Sequence, residues 1–266
     1  MRTIDKIEEI LRRRGIEYSG AIRFEKCKII NQSLLERRNV TDAKTAIMLL
    51  APYYSGRHEE RNVSLYAVPM DYHLFFKDLF EKVVPELTEL FPGYWFYGFA
   101  DSSPISEVSA AALAGLGVIG KNHLLINPKY GSYVFIGEIL TNLELEYYRE
   151  GMVSFCISCG KCTSACPSKT DCLSALTQKK GEKSASTCEL IRKTGIAWGC
   201  DICQEVCPLN SEAEETPLDF FKKGLTERIS AIEIEQMESS DFEKRAYAWK
   251  GKKTIISNLN ELNEKK

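Results

Sequence analysis

The 266-residue sequence contains no long apolar run and no excess of charge of one sign. No segment approaches the ~18 consecutive apolar residues of a membrane-spanning helix. With a formal net charge of −2, the chain as a whole is not electrostatically attracted to nucleic acid or to a membrane surface. A local basic patch is compatible with this net charge. The N-terminal stretch MRTIDKIEEILRRRGIEY places apolar residues at helical spacing between charges and lacks the apolar core of a signal peptide. We therefore expect a cytoplasmic globular protein.

Cysteine, in contrast, is abundant, with ten residues in the chain. Cytoplasmic proteins rarely carry a disulfide framework, so this number favours metal binding. Nine of the ten lie between residues 156 and 207. Only Cys27 stands apart, and we interpret it as a plain thiol.

The cysteines form two related runs. The first, CISCGKCTSACP (156–167), has the spacing C-x2-C-x2-C-x3-C-P. The second, GCDICQEVCP (199–208), matches its last three cysteines and its proline, and the missing first member falls at Ala197. This is a two-cluster ferredoxin pattern with one ligand displaced.

The pattern predicts two [4Fe–4S] clusters, because each iron of such a cluster takes one thiolate from a different direction. In the two-cluster arrangement the fourth cysteine of each run binds the other cluster. Structural zinc commonly uses two separated C-x2-C pairs, which the first run does not resemble. The predicted ligands of cluster one are Cys156, Cys159, Cys162 and Cys207; those of cluster two are Cys166, Cys200, Cys203 and a replacement, either Cys172 or Cys188.

Strand-like and helix-like segments alternate through residues 1–145, which predicts an α/β or α+β fold. We divide the chain into an α/β cofactor- and substrate-binding domain at 1–148, a double-cluster ferredoxin-type domain at 149–212, and a helical tail at 213–266 that packs on the core. The predicted helices are 3–14, 71–91 and 106–117; the predicted strands are 46–54, 62–68, 93–99, and a pair at 123–128 and 131–143 joined by a turn at 129–131.

The segment AGLGVIGKN (114–122) contains the glycine spacing of a dinucleotide-binding loop. That motif follows a strand and opens a helix, whereas here a helix-like segment comes first and a strand-like segment follows. Two alternatives are a glycine-rich helix stop and a loop packed against another cofactor, with Lys121 near the charged groups of that cofactor. Gly117, Gly120 and Lys121 are therefore candidate cofactor-binding residues.

Asp101 lies in FADSSPISE, where a predicted strand ends and a helix begins. It is a candidate N-cap, but Ser102 and Ser103 serve that role equally well. A carboxylic acid at a pocket mouth also serves as a proton donor if burial raises its pKa. His73 starts a long helix, where a structural role is the ordinary one.

Several of these segments, in order, resemble the epoxyqueuosine reductases. They are FADSSPISEVSAAALAGLGVIGKN, GSYVFIGEILTNL, CISCGKCTSACP, CLSALTQKKG and WGCDICQEVCP, with DYH at 71–73. The resemblance covers residues 45–255 and implies two [4Fe–4S] clusters, a cobalamin in the N-terminal domain, kinship with the reductive dehalogenases, and reduction of the epoxide of epoxyqueuosine in tRNA to the alkene of queuosine. It also implies Cys172 as the displaced ligand, Asp101 as the proton donor, and His73 among the corrinoid contacts.

The same resemblance implies the partners, namely a tRNA that carries epoxyqueuosine and an external one-electron donor such as a ferredoxin or flavodoxin. We expect a monomer with no membrane partner, and a short form of the family that lacks C-terminal helical repeats. Two groups of basic residues are either solvated helix faces or phosphate contacts. The first group is Lys179, Lys180 and Lys183, and the second is Lys244, Arg245, Lys250, Lys252 and Lys253.

Three other functions fit the residues. They are a reductase with the same cofactors and a small-molecule substrate, a non-enzymatic electron carrier, and a zinc-stabilised binding module.

Overall fold

The computed structural model describes residues 2–145, 153–168 and 170–263. The predicted boundary between the first two domains, at 148/149, lies outside these ranges. None of the described helices is long and apolar enough to cross a membrane. The helices are α1 (Thr3–Arg13), α2 (Gln32–Arg37), α3 (Tyr72–Leu90), α4 (Glu107–Leu113), α5 (Lys161–Ala165), α6 (Leu173–Thr177), α7 (Ala185–Thr194), α8 (Ile202–Glu205), α9 (Ala231–Gln236), α10 (Ser239–Phe242) and α11 (Lys252–Asn263).

A four-stranded antiparallel sheet forms the centre of the N-terminal region, in the order β1-β2-β6-β3. Two short strands, β4 and β5, pair with each other separately. Antiparallel strands mixed with helices make the fold α+β, which confirms the predicted class. The strands are β1 (Tyr18–Arg23), β2 (Thr45–Pro52), β3 (Phe96–Ala100), β4 (Val118–Ile119), β5 (Leu125–Ile126) and β6 (Val134–Thr141).

Strand β2 is buried along its whole length because helices cover both faces of the sheet. Successive side chains of a strand point to opposite faces. Ile47 and Leu49 accordingly join the apolar cluster that contains the buried residues of α1 and α3. Met48 and Leu50 join the cluster that contains those of α2 and α4. The continuous apolar run that predicted this strand is therefore the sequence of a strand with two covered faces.

The predicted strand at 62–68 is wrong. The segment forms a short 3-10 turn at Leu65–Ala67, and its backbone bonds to the C-terminal half of the chain instead of to the sheet. The N–H of Ser64 donates to the carbonyl of Trp198 at 2.7 Å, and the N–H of Leu65 donates to the Asp201 carboxylate at 2.7 Å. Val63, Ala67 and Val68 accordingly belong to a third apolar cluster with the tail, around Trp198 and Tyr247.

The predicted strand pair across residues 129–131 is also wrong. Strand β5 pairs with β4, and β6 lies between β2 and β3, so only one bridge, Asn127 to Gly131, spans the turn. The Asn127 side chain closes this turn by accepting the N–H of Lys129 at 2.9 Å and of Tyr130 at 3.1 Å. Strand β1 was absent from the sequence prediction.

Candidate active site and metal centres

Asp101 and His73 meet because β3 and α3 present their ends to the same cavity. Strand β3 ends at Ala100, opposite Gly137 of β6. Helix α3 begins next to it, and the Asp71 side chain caps the helix by accepting the N–H of His73 at 3.0 Å. The cavity between them has a volume of about 490 Å³. Its lining includes Asp71, Tyr72, His73 and Asp101 on one side, and Gln178 and Trp249 on the other.

The His73 imidazole lies between two carboxylates. Its Nδ1 is 2.8 Å from Asp71 Oδ1, and its Nε2 is 3.8 Å from Asp101 Oδ2. The contact with Asp101, followed by that with Asp71, raises the pKa of His73 from 6.5 to about 9. The same contact lowers the pKa of the Asp101 carboxyl below its usual range. Near neutral pH the imidazole of this pair therefore holds the proton and Asp101 is ionised.

The proton-donor role considered for Asp101 has a raised pKa as its condition, whereas the structure lowers this pKa. The Asp101 side chain is 69% exposed, so the imidazolium outweighs desolvation. The alternative role as an N-cap is wrong, because the N-cap of α4 is Ser106. Asp101 instead adopts a left-handed backbone with φ of 62°. Aspartate tolerates this conformation better than most residues.

Sequence reasoning missed two carboxyl groups behind Asp101. Glu107 Oε1 accepts the backbone N–H of Asp101 at 3.1 Å. Burial, together with the charge of Asp101, raises the pKa of Glu107 to about 7. Glu138 is fully buried on β6, its pKa is raised by burial, and its Oε1 accepts the Ser103 hydroxyl at 2.8 Å. The sequence signal for Glu138 was its position inside the apolar strand VFIGEILT. A charged residue in such a strand is rare unless it has a partner or a function.

Four of the predicted ligands line one narrow pocket. Cys156, Cys159, Cys162 and Cys207 share it with Gly120 and Lys121. The backbone N–H groups of Ser158 and Lys121 lower the pKa of Cys156, since they stabilise a thiolate. These are the four cysteines that the spacing assigned to cluster one.

The remaining predicted ligands lie near one another. The charges of Cys172, Cys162 and Cys166 all raise the pKa of Cys203. The charges of Cys203 and Cys172 likewise raise the pKa of Cys200, because these side chains are close together. Burial raises the pKa of Cys200 to about 12 and also raises that of Cys203.

Cys188 lies in a different environment. It is on α7, where its thiol hydrogen-bonds to Glu261 of α11 and lies near Lys183 and Arg192. The charge of Cys172, in contrast, raises the pKa of both Cys200 and Cys203. The structure therefore places Cys172 near the second run.

In the ranges that the structure describes, no three His, Cys, Asp or Glu side chains converge closely enough to hold a single metal ion. A single ion needs all its ligands within bonding distance of one point. A four-iron cluster instead takes each thiolate on a different iron, which keeps the sulfurs further apart.

The glycine-rich segment divides between two roles. Gly115, with φ of 75°, follows the last turn of α4 and is the predicted helix stop. Gly117 has no room for a side chain, because a Cβ there would lie 2.5 Å from the carbonyl oxygen of Ile126. Gly120 and Lys121 line the four-cysteine pocket. The three residues proposed as cofactor contacts, Gly117, Gly120 and Lys121, are not part of the lining of the Asp101 cavity.

Comparisons with known proteins place this geometry in a class of reductases. No protein-family model matches the chain. An epoxyqueuosine reductase of Lactococcus garvieae is 29% identical over 260 residues, which are 87% of this chain and 72% of the relative. One of Leadbetterella byssophila is 35% identical over 202 residues, or 70% and 65%. A third, of Cyclobacterium marinum, is 34% identical over 190 residues, or 65% and 61%. The last two alignments therefore cover less than two thirds of the relatives' own length.

Solved structures share the fold. An epoxyqueuosine reductase from Streptococcus thermophilus superposes with a TM-score of 0.81 at 24% identity, over 98% of this chain and 81% of that one. A structure of an epoxyqueuosine reductase with an epoxyqueuosine-modified tRNA stem loop has a TM-score of 0.81 at 21% identity, over 97% and 80%. A reductive dehalogenase described as B12-dependent gives 0.51 at 15%, over 94% and 35%.

The fold and the cysteine-rich site are those of an oxidoreductase. More specifically, the curated relatives that the chain matches and the solved structures that share its fold are epoxyqueuosine reductases.

Proposed function

We propose that this protein reduces the epoxide of epoxyqueuosine in tRNA to the alkene of queuosine, using two [4Fe–4S] clusters and a cobalamin. One observation carries the proposal: the helix α6, which begins directly after Cys172, contributes to the lining of the cavity that holds Asp101 and His73. Ser174 and Gln178 line this cavity, and Ser174 is two residues from that cysteine. A redox centre held by Cys172 therefore lies beside the cavity where the proton-holding groups converge.

The two groups of thiols fit two clusters. We assign cluster one to the four cysteines of the narrow pocket, and cluster two to the group around Cys203. Metal binding displaces thiol protons, so thiols that burial keeps protonated in the free protein are held as thiolates once iron is bound. Cluster two, through Cys172, is then the inner one, and cluster one is the entry point for an external ferredoxin or flavodoxin. The assigned ligands are Cys156, Cys159, Cys162 and Cys207 for cluster one, and Cys166, Cys172, Cys200 and Cys203 for cluster two.

The cavity also fits part of a corrinoid. Its walls include the rings of Tyr66, Tyr72, Phe135 and Trp249, which offer apolar surface to a flat macrocycle. Tyr72 stacks on Phe135 with ring centroids 4.1 Å apart, so the two rings form one continuous apolar surface. When bound, the corrinoid supplies a cobalt centre that collects single electrons and acts on carbon. A solved reductive dehalogenase of the same fold is described as B12-dependent, which supports the assignment.

The reaction needs two electrons and two protons, since the epoxide oxygen leaves as water and the carbons become an alkene. We assign delivery of one proton to the oxygen to Asp101, which is ionised near neutral pH and first takes that proton from the His73 imidazolium. The second proton comes from solvent water. His73 Nε2 carries a proton 3.8 Å from Asp101 Oδ2, and Asp71 orients the ring from its other nitrogen. One solved epoxyqueuosine reductase from Bacillus subtilis has its catalytic aspartate loop swung out of the active site, which supports an aspartate on a mobile segment in this role.

The direct test is the metal content of anaerobically purified protein from corrinoid-fed cells. We expect about eight irons and one cobalt per chain and little zinc. Turnover of tRNA that contains epoxyqueuosine then tests the substrate. Eight irons without cobalt, together with no binding of added corrinoid, would contradict the mechanism.

A further inference from the structure

Glu138 is a carboxyl group that the packing of the core does not explain. It lies in the middle of β6, opposite Met48 of β2 and Phe99 of β3, and is fully buried. Directly opposite residues of paired strands share a face of the sheet, so Glu138 lies on the face whose apolar cluster contains Met48 and Phe99. Within the described ranges, its Oε2 is buried without a hydrogen-bond partner. Such a group opposes folding, which indicates a role other than stability.

The other oxygen of this carboxyl contacts the turn that carries Asp101. Glu138 Oε1 accepts the Ser103 hydroxyl at 2.8 Å, and the Ser103 side chain is itself buried. The hydroxyl has a second acceptor, the Ile105 carbonyl at 3.0 Å, but Glu138 is the nearer one. The backbone N–H of Ser103 donates to the Asp101 carbonyl at 2.9 Å. Glu138 is therefore two hydrogen bonds away from the backbone of Asp101.

The two halves of the turn between β3 and α4 are held differently. The second half is bonded to the segment before α2, because the Pro104 carbonyl accepts the N–H groups of Ile30 at 2.9 Å and Asn31 at 3.1 Å. The first half carries Asp101 with φ of 62°, a conformation that the surrounding structure must maintain in a residue other than glycine. The hydrogen bond to Glu138 joins this first half to the central sheet.

We propose that Glu138 is a positioning residue for the proton donor: through the Ser103 hydroxyl it holds the turn so that Asp101 faces His73. The inference rests on the proposed function and deepens it, since it names the group that fixes the place of the Asp101 carboxylate. The Asp101 side chain is 69% exposed, so its position depends on the backbone that carries it. A displacement of about 1 Å at a reacting group lowers turnover by about 10²-fold.

The test compares two variants that remove the contact with one that keeps it. Glu138→Met has a side chain of similar length without an acceptor, and Ser103→Ala removes the hydroxyl. Glu138→Gln keeps an oxygen that accepts this hydroxyl. The matched control is Ser106→Ala, which changes a serine at the other end of the same turn whose side chain makes no capping hydrogen bond to α4. Each variant is prepared as the iron-loaded full chain under anaerobic conditions.

The first readout is the pKa of His73, followed by NMR before corrinoid is added. It is about 9 with Asp101 in place and should fall toward 6.5 in Glu138→Met and Ser103→Ala. It should stay near 9 in Glu138→Gln and Ser106→Ala. With corrinoid and epoxyqueuosine-containing tRNA, kcat should fall by about 10²-fold in the first two variants at unchanged KM. The thermal unfolding midpoint of Glu138→Met should not fall, since an apolar side chain replaces a buried carboxyl.

Two results overturn the proposal. One is a His73 pKa near 9 in both Glu138→Met and Ser103→Ala, because the position of Asp101 would then not depend on the contact. The other is a lowered pKa that appears only together with loss of iron and a lower unfolding midpoint, because Glu138 would then support the fold alone. A failure of the proposed function is distinct: a His73 pKa that depends on Glu138, in a chain that does not reduce epoxyqueuosine, supports the positioning role and contradicts the reaction.

Discussion

The partly buried carboxyl of Glu107 should make the stability of the protein depend on pH in a defined direction. Its pKa is raised to about 7, from an ordinary value of 4.5, by burial and by the charge of Asp101. Folding therefore favours its protonated form. The resulting stabilisation is fully present below the ordinary pKa and is lost as the pH rises through about 7. The difference between the two pKa values corresponds to roughly 3 kcal/mol.

Glu107→Gln isolates this effect. The glutamine keeps an oxygen that accepts the Asp101 N–H but does not ionise. We expect the free energy of unfolding of the variant, relative to the wild type, to rise by about 3 kcal/mol between pH 5 and pH 9. Titrating groups that do not interact with Glu107 cancel in this difference. The assay is anaerobic urea unfolding of the cluster-loaded chain, followed by far-ultraviolet circular dichroism.

A matched control is Glu89→Gln, which changes an exposed glutamate on α3. It should leave the pH dependence of unfolding unchanged. A difference between Glu107→Gln and the wild type that stays constant from pH 5 to pH 9 would refute the reasoning, since it would show that Glu107 does not change its charge in this range.

Three further outcomes are expected. Asp101→Asn should lower turnover by about 10²- to 10⁴-fold at unchanged iron content, measured by product analysis and iron assay; loss of the clusters would give Asp101 a structural role instead. Cys172→Ala should halve the iron content to about four per chain, whereas Cys188→Ala should leave it near eight; the opposite pattern would make Cys188 the ligand. The pKa of His73, followed by NMR, should fall from about 9 toward 6.5 in Asp101→Asn, and an unchanged value would show that Asp101 does not stabilise the imidazolium.

Local sequence patterns were sufficient to predict the elements with a clear arrangement of apolar residues. Helix α1 was predicted from Ile4, Ile7 and Leu11, which recur at helical spacing and are buried. Strand β2 was predicted from its continuous apolar run. The segment 62–68 has the same apolar character, but its polar groups bond to Trp198 and Asp201. Those partners are more than 130 residues away, so no local pattern revealed them.

The site was predicted unevenly for a similar reason. Cysteine spacing encodes ligand sets directly, and the structure brings the first predicted set to one pocket. The pairing of His73 with Asp101 depends on the order of strands in the sheet, which sequence spacing does not give. The lowered pKa of Asp101 was not predicted because the imidazolium beside it was unknown. Glu107 was overlooked because its burial follows from packing on β6, not from its neighbours in the chain.

The most direct test of the central claim is a single-turnover experiment on an epoxyqueuosine-containing tRNA. The protein carries both clusters and cobalamin, the electrons come from a reduced ferredoxin or flavodoxin, and the nucleosides are analysed by mass spectrometry. The account predicts that epoxyqueuosine loses one oxygen atom and becomes queuosine, and that omission of cobalamin stops the conversion. Unchanged epoxyqueuosine with fully loaded and reduced protein would contradict the account.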